Sequence, residues 1–213
     1  MPFDTDDLPQ LLEHLWDHLD AATRSAKPPF HLPTLCTVRP ADPPDSGSPS
    51  LVLPAARTVV LRGIDRERRQ LICHTDVRSD KIADLGTLPH AAWLFYDSPA
   101  RLQLRVTGPI TIHRDDALAE EQWARSSLTS RRCYLAPNPP GQIAAYPSPN
   151  LPADLTDRPP TEAESQAGRK HFAVLSCVAE RFEMLHLRHS GHRRAAFHWP
   201  SPDGSPTMHW LEP

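Results

Sequence analysis

The sequence predicts a mainly β fold of the α+β kind, an antiparallel barrel with peripheral helices. About seven or eight segments have the β-branched or alternating apolar composition of strands. They follow one another mostly in hairpin order and do not alternate regularly with long helices, which disfavours a parallel sheet. Three other segments repeat apolar residues at helical spacing, so we expect three helices packed around the barrel.

The length of 213 residues suits one domain, which we expect to span residues 1–213. Within it we expect an N-terminal helix in residues 1–27 and a long proline-rich loop at residues 137–170. The chain has 25 prolines, roughly twice the average usage, and many lie in stretches such as 41–50 that have nothing to bury.

Composition disfavours several classes of partner. The formal net charge is −3 and no long run of like charge occurs, which argues against nucleic acid and anionic membranes as partners. No apolar run approaches the ~18 residues of a membrane span, and the acidic N-terminus lacks the features of a signal peptide. The four cysteines are widely spaced, so we expect reduced thiols in a cytoplasmic protein.

The predicted helices span residues 7–23, 79–88 and 115–127. Asp6 or Asp7 caps the first helix, and Ser79 or Asp80 caps the second. The predicted strands lie at residues 35–38, 55–64, 70–75, 91–96, 101–113, 171–187, 195–199 and 208–211. Segment 65–69 is a charged turn expected to lie in water, and continuous apolarity predicts that strand 91–96 is buried. Strand 101–113 alternates cleanly, so it has one apolar and one polar face, broken or bulged at Gly108 and Pro109.

One corner of the predicted sheet, residues 56–81, collects groups that can bind an anion. Basic and hydroxyl side chains converge there from two strand ends and the following turn. A phosphate needs several charge-assisted donors at once, and a helix beginning near Ser79 adds backbone N–H groups. From the residues alone two interpretations remain open, a phosphate site and a set of solvated strand ends.

Several motifs are missing from the sequence. There is no G-x-G-x-x-G, no P-loop, no G-x-S-x-G and no H-E-x-x-H. His186, His189 and His192 recur every three residues, but Ser190 and Gly191 interrupt them and the preceding residues are predicted to be strand. Residues three apart in a strand face opposite sides, so we expect no metal site.

Six segments resemble the pyridoxamine 5′-phosphate oxidase-like family of FMN-binding split β-barrels, and they occur in family order. They are RTVVLR (57–62), CHTDVRSDK (73–81), RLQLRVTG (101–108), SRR (130–132), PPGQ (139–142) and GHRRAAF (191–197). The resemblance spans roughly residues 30–213 and is greater to the branch of unsettled substrate than to the vitamin B6 enzyme. It implies an antiparallel split β-barrel and a homodimer with FMN in clefts between the subunits.

The resemblance also implies which residues bind FMN. Arg57 and Lys81 match positions that hold the FMN phosphate, and Arg194 matches an arginine near the flavin ring. Arg57 and Arg62 are five apart and face opposite sides of a regular strand, so both serve FMN only if the strand is reoriented between them. The full implied set is Arg57, Thr58, Val59, Val60, Leu61, Arg62, His74, Thr75, Arg78, Ser79, Lys81, Gln103, Gln142 and Arg194.

The implied activity is that of an FMN-dependent oxidoreductase that transfers a hydride at flavin N5, with a small-molecule substrate or NAD(P)H as partner. No side chain is predicted to be catalytic; Arg131 and Arg194 are the candidates for substrate contacts. Ser127 and Leu135 replace the companions of Arg131 in vitamin B6 oxidases, and Leu185 replaces a flavin-packing Trp. The alternatives are a non-catalytic flavin-binding or flavin-sensing module and a pyridoxamine or pyridoxine 5′-phosphate oxidase with an altered pocket.

Overall fold

The structure is a computed structural model, and it describes residues 2–40, 52–201 and 204–213. The predicted loop 41–50 lies outside the described residues. Ten strands occur in the described part, and each pairs antiparallel with its neighbours. They are β1 (Thr34–Pro40), β2 (Val52–Thr58), β3 (Leu61–Asp65), β4 (Gln70–Asp76), β5 (His90–Asp97), β6 (Leu102–His113), β7 (Phe172–Val178), β8 (Arg181–His186), β9 (Arg193–His198) and β10 (Thr207–Leu211).

The helices confirm the three sequence predictions and add two short ones. They are α1 (Leu8–Arg24), α2 (Asp80–Thr87), α3 (Ala117–Arg125), α4 (Leu128–Arg131) and α5 (Glu162–Ser165). Asp7 caps α1 by accepting a hydrogen bond from the Gln10 N–H, and Ser79 is the N-cap residue of α2. Short 3-10 turns occur at Pro2–Asp4, Pro29–His31, Arg132–Leu135, Ala153–Leu155 and Gln166–His171. Within the described residues no helix has the length and apolarity needed to cross a membrane.

Strand β6 joins the two halves of the sheet. Its first half pairs with β5 and β8, and its second half pairs with β7, which continues to β4 and β3. Gly108 lies at this change of partner, where a Cβ atom would approach the Val178 carbonyl oxygen to 2.0 Å. The other path runs from β5 through β1 to β2. In the described residues β2 and β3 do not pair with each other, so the predicted split β-barrel is confirmed as an unclosed, mostly antiparallel sheet.

The core lies between the strands and α1. Leu11, Leu15 and Leu19 of α1 are fully buried, as helical spacing of apolar residues requires. They belong to one cluster with Trp93 and Phe182 from the sheet. A smaller cluster under α3 includes Trp123, Tyr134 and Phe172. The first cluster contains Cys73 and Leu175 and the second contains their neighbours Ile72 and Val174, so the two clusters lie on opposite faces of β4 and β7.

The predicted single strand at residues 55–64 is wrong, because the chain leaves one half of the sheet and enters the other within it. Residues 59 and 60 separate β2, which pairs with β1, from β3, which pairs with β4. The Val59 N–H donates to the Pro33 carbonyl at 2.9 Å, which anchors the break. The segment predicted at 171–187 likewise contains two strands, β7 and β8, with a turn between them.

Two burial predictions are also wrong in part. Strand β5 has one buried and one exposed face, with Leu94 and Tyr96 exposed at 36% and 48%. In the charged turn at 65–69, Arg69 is buried, donates to the Ser201 carbonyl and stacks over Trp199. Arg69 is buried because its aliphatic stem and guanidinium both find partners, whereas its neighbours in the turn remain in or near water.

Candidate functional site

A cleft of about 540 Å³ lies where β1 and β2 meet the start of α2. Strand pairing aligns β1 with β2, and the turn after β4 brings the first residues of α2 over their ends. The loop after α4 closes one side of the cleft through Pro140 and Gly141. The residues lining it are Arg39, Leu53, Pro54, Ala55, Ala56, Arg57, Ser79, Asp80, Lys81, Pro140 and Gly141.

Lys81 lies at this cleft with two hydroxyl groups. Its Nζ donates to Thr75 Oγ1 at 3.0 Å and to Ser79 Oγ at 3.1 Å. Thr75 and Ser79 are themselves buried. Burial lowers the pKa of Lys81, and the nearby Arg57 charge lowers it further. An anion in the cleft would offset both effects.

Arg57 is held at the cleft by groups that were not among the predicted site residues. Its Nη1 donates to Thr37 Oγ1 at 2.6 Å, and its Nη2 lies 3.1 Å from the Asp84 Oδ2 carboxylate oxygen. Thr37 also donates to Asp84 at 2.7 Å, and both are buried. The signal for Asp84 was present in the sequence, because it is one acidic residue on the face of α2 that also carries the buried Leu85. An acid among inward-facing positions needs a partner.

Arg62 and His74 line a second, larger cavity of about 690 Å³, between β3, β4 and the α3–α4 region. The break at residues 59 and 60 thus directs Arg57 and Arg62 to different cavities. His74 is half-buried and its Nε2 lies 3.1 Å from Gln122 Oε1. Burial lowers the pKa of His74 to about 4, so its imidazole is neutral near pH 7. Leu61 also lines this cavity.

Thr58, Val59 and Val60 connect the two cavities along the chain. Thr58 is exposed, whereas Val59 is buried. Arg78, by contrast, points away from the cleft: its guanidinium donates to Asp76 through Nε at 3.0 Å and Nη2 at 2.7 Å. It also donates to the Ala136 carbonyl at 3.0 Å, which ties the turn to the loop after α4.

Gln103 and Arg194 lie on the outer face of the sheet. The register places Gln103 between Tyr96 and Leu185, and Leu185 next to Arg194. Arg194 donates to Glu183 Oε1 from Nε at 3.0 Å and from Nη2 at 2.5 Å. Its side chain is about one third exposed on that face.

Glu183 gathers three arginines on this face. Arg105 and Arg181 pair with it in addition to Arg194. Burial raises the pKa of Glu183, but the hydrogen bonds from the arginines outweigh it and leave the pKa below its ordinary value. The cluster carries a net positive charge, and sequence reasoning did not identify it.

Arg131 is buried away from both cavities. It donates to the carbonyls of Trp123 and Ala124, to Ser165 Oγ and to Glu162 Oε1, at distances of 2.5 to 3.2 Å. Its guanidinium carbon lies 4.8 Å from the centre of the Trp123 ring. Gln142 is exposed and follows directly on Pro140 and Gly141, which line the 540 Å³ cleft.

The described residues contain no group of three or more His, Cys, Asp or Glu side chains arranged to hold a metal ion. What they do contain is a set of cationic and hydroxyl donors at a sheet corner, next to a helix start. That donor chemistry fits a phosphate, and the fold around it is a split β-barrel.

Residues 13–114 match the family model described as pyridoxamine 5′-phosphate oxidase, FMN-binding domain. The match covers slightly less than half of the chain, and it confirms the resemblance to this FMN-binding family and FMN as the family's cofactor. A curated relative, pyridoxine/pyridoxamine 5′-phosphate oxidase 2 of Arabidopsis thaliana, is 32% identical over 93 residues, covering 40% of this chain. The match covers 47% of that relative, so the chain spans about half of its length.

Two solved structures share the fold over nearly the whole chain. One is a pyridoxamine 5′-phosphate oxidase-related, FMN binding protein from Nostoc punctiforme PCC 73102, with a TM-score of 0.69, 22% identity and coverage of 94% of this chain and 96% of that one. The other is PhzG from Burkholderia lata 383 in complex with tetrahydrophenazine-1-carboxylic acid. It has a TM-score of 0.66, 15% identity and coverage of 100% and 97%. At these identities the likeness shows the fold.

Proposed function

We propose that the protein is an FMN-dependent oxidoreductase whose phosphate site is the 540 Å³ cleft. The observation that carries this proposal is the convergence of Arg57 from β2 with Ser79 and Lys81 from the start of α2. Arginine, lysine and hydroxyl donors are the groups that a phosphate dianion selects. Thr75 and Ser79 support Lys81, and Asp84 and Thr37 orient Arg57, so the cations are preorganised for an anion.

The chain between the two cavities suits the rest of the cofactor. From the cleft, residues 58–60 lead to Arg62 and the neutral His74 at the larger cavity. The Val59 N–H is paired with the Pro33 carbonyl, so we propose that the other backbone groups of this segment contact the edge of the flavin ring. Bound FMN would supply hydride transfer at its N5 atom, and the protein would bind it, orient it and shape access to it.

We further propose a homodimer in which the outer sheet face meets a second copy. Thr58 and Arg194 lie on strands β2 and β9, which are five strands apart in the order β2, β1, β5, β6, β8, β9. At roughly 4.8 Å per strand this is about 24 Å measured along the curved sheet, a separation that favours a flavin site to which two chains contribute. The partner's copy of Arg194 would therefore complete the site, and exposed Leu94 and Tyr96 supply apolar contact area on the same face.

The substrate side of the site is the 690 Å³ cavity beside Arg62 and His74. We propose that a small molecule or NAD(P)H reaches the flavin there. Arg131 does not line this cavity, and its guanidinium is engaged with Glu162 and Ser165. In this position Arg131 does not reach the phosphate of a pyridoxine 5′-phosphate substrate in the cavity. We therefore propose an activity that belongs to another branch of the family.

Purification followed by a visible absorption spectrum tests flavin binding directly. The proposal expects a yellow protein, or a colourless one that takes up added FMN with one flavin per chain. A chain that neither carries nor binds FMN would refute it. Size-exclusion chromatography with light scattering tests the dimer, and a monomer that binds FMN fully would refute the shared site.

Three reactivity measurements distinguish an oxidoreductase from the two alternative functions. Reduction of the bound FMN by NADPH or NADH, followed by reoxidation by an added acceptor, supports the enzyme. Flavin that binds but exchanges electrons with none of these at a useful rate supports a non-catalytic flavin-binding or sensing module. Peroxide release from pyridoxamine 5′-phosphate would instead identify a vitamin B6 oxidase with an altered pocket.

A further inference from the structure

We propose that Arg39 of β1 is a third cation for the cofactor phosphate, held at the cleft by the buried Asp84. This inference rests on the proposed function, because it takes the FMN phosphate to occupy the cleft. It adds a binding residue from a strand that carries none of the sequence-predicted site residues.

The position of Arg39 carries the inference. It lines the cleft together with Arg57 and Lys81. Its Nε lies 3.3 Å from Asp84 Oδ1, and its Nη2 lies 3.5 Å from Asp80 Oδ2. The Nε atom is buried against Asp84, whereas the Arg39 side chain as a whole is 38% exposed. The guanidinium therefore has one edge on the buried carboxylate and N–H groups left over on the side of the cleft, where an anion can accept from them.

The alignment of β1 with β2 explains why Arg39 reaches the cleft. Arg39 pairs with Leu53, and two residues earlier Thr37 pairs with Ala55, so the side chains of Arg39 and Thr37 share one face of the sheet. That is the face on which Thr37 contacts Arg57 and Asp84. Arg39 and Arg57 therefore approach the same buried carboxylate from neighbouring strands.

The charges at the cleft show what a third cation adds. Arg39, Arg57 and Lys81 face the carboxylates of Asp80 and Asp84, which leaves a net charge of about +1 among these described side chains. A phosphate monoester carries about −1.5 to −2 charges near pH 7. Without Arg39 the cleft would be close to neutral and would attract that dianion far less. Asp80, whose side chain is 68% exposed, is the acid whose removal should favour the phosphate.

The test compares FMN with riboflavin, which has the same ring and no phosphate. Dissociation constants are measured by flavin fluorescence on the full chain after removal of any bound flavin. Arg39→Gln is expected to weaken FMN binding by about tenfold or more, the usual effect of losing a charge-assisted hydrogen bond, and to leave riboflavin within twofold. Asp80→Asn is expected to tighten FMN binding several-fold. Lys27→Gln, which removes an exposed positive charge elsewhere, is the control and should change neither constant.

The outcomes separate this inference from the proposed function. Arg39→Gln with unchanged FMN affinity, or with equal losses for FMN and riboflavin, overturns the role of Arg39 while FMN binding by the wild type stands. Weaker FMN binding by Asp80→Asn overturns it as well, and this variant of an exposed residue guards against misfolding of the first. A wild type that binds FMN no better than riboflavin overturns the phosphate cleft itself.

Discussion

The guanidinium of Arg57 lies 3.1 Å from the carboxylate of Asp84, which is buried on the inner face of α2. This pair joins β2 to α2, the helix that begins at the 540 Å³ cleft. Thr37 donates to the same carboxylate, so Asp84 accepts hydrogen bonds from both β1 and β2. The pair therefore both stabilises the fold and orients the Arg57 side chain.

We expect Asp84→Asn to disturb both properties. The amide can still accept from Thr37, but it leaves Arg57 without a charged partner, which should lower the free energy of unfolding by roughly 1–3 kcal/mol. FMN affinity should fall because Arg57 is no longer oriented. Urea unfolding and FMN titration measure the two effects. Asp157→Asn changes an exposed acid and serves as control; equal effects of both variants would contradict the role of Asp84.

The double variant Arg57→Ala with Lys81→Ala tests the phosphate assignment. Each residue is expected to supply a charge-assisted hydrogen bond of about 1.5–3 kcal/mol, so FMN affinity should fall by at least about a hundredfold. Riboflavin binding should change little, since the ring contacts remain. Titration of both flavins gives the comparison, and an unchanged FMN dissociation constant would refute the assignment.

Lys81 gives the site a pH dependence. Burial and Arg57 lower its pKa, so in the free protein it loses its proton below the ordinary lysine value of 10.5. A bound dianion raises that pKa again, so binding takes up a proton in the interval between the two values. FMN affinity should therefore fall as the pH rises through this interval.

Lys81→Arg is the matched variant for this prediction, because arginine stays protonated over the whole range. FMN titrations from pH 7 to high pH, with circular dichroism to show that the fold persists, make the measurement. The alkaline fall in affinity should disappear in Lys81→Arg. A fall of the same size in both proteins would assign the titration to another group.

Sequence patterns identified most elements because their signals are local. The leucines of α1 and the alternation of β6 each depend on residues within one segment. The break at residues 59 and 60 escaped prediction because β-branched residues continue through it, and only the change of pairing partner ends the strand. Likewise, continuous apolarity in β5 does not distinguish a buried strand from one that exposes Leu94 and Tyr96.

The candidate site likewise contains residues that were predicted from the sequence and residues that were not. Arg57, Ser79 and Lys81 were predicted from the resemblance, and the fold brings them to one cleft. Arg39, Thr37 and Asp84 were not predicted, because their relation to Arg57 depends on how β1 and α2 pack. The position of Asp84 beside the buried Leu85 indicates that it needs a partner, but it does not indicate which one, because contacts between elements far apart in the chain leave no pattern in a single sequence.

Gly108 and Gly86 form a matched pair for a stability prediction. A Cβ at Gly108 would approach the Val178 carbonyl oxygen to 2.0 Å, whereas a Cβ at Gly86 meets nothing within 4 Å. Gly108→Ala should cost about 3 kcal/mol or more, since the backbone of β6 has to move away from the β7–β8 turn. Gly86→Ala should stabilise α2 by about 0.5–1 kcal/mol. Urea unfolding of both variants gives the comparison, and equal effects would contradict the close approach.

Experiment can decide whether Arg131 is a structural residue or a substrate-binding residue. It donates to the last turn of α3 through two carbonyls and to α5 through Glu162 and Ser165. Arg131→Ala should therefore leave several buried acceptors unpaired and lower the free energy of unfolding by roughly 2–4 kcal/mol. Limited proteolysis should cut the segment before α5 faster, because α5 loses its tie to α3.

Glu162→Gln is the control, because the Glu162 side chain is 66% exposed and its ion pair should contribute less than about 1 kcal/mol. Urea unfolding should thus separate the two variants clearly. If Arg131 instead leaves this position to bind a substrate in the loaded dimer, Arg131→Ala would keep its stability and lose affinity for that substrate. The comparison of unfolding free energy with steady-state KM distinguishes the two roles, since a buried tie affects the first and a ligand contact affects the second.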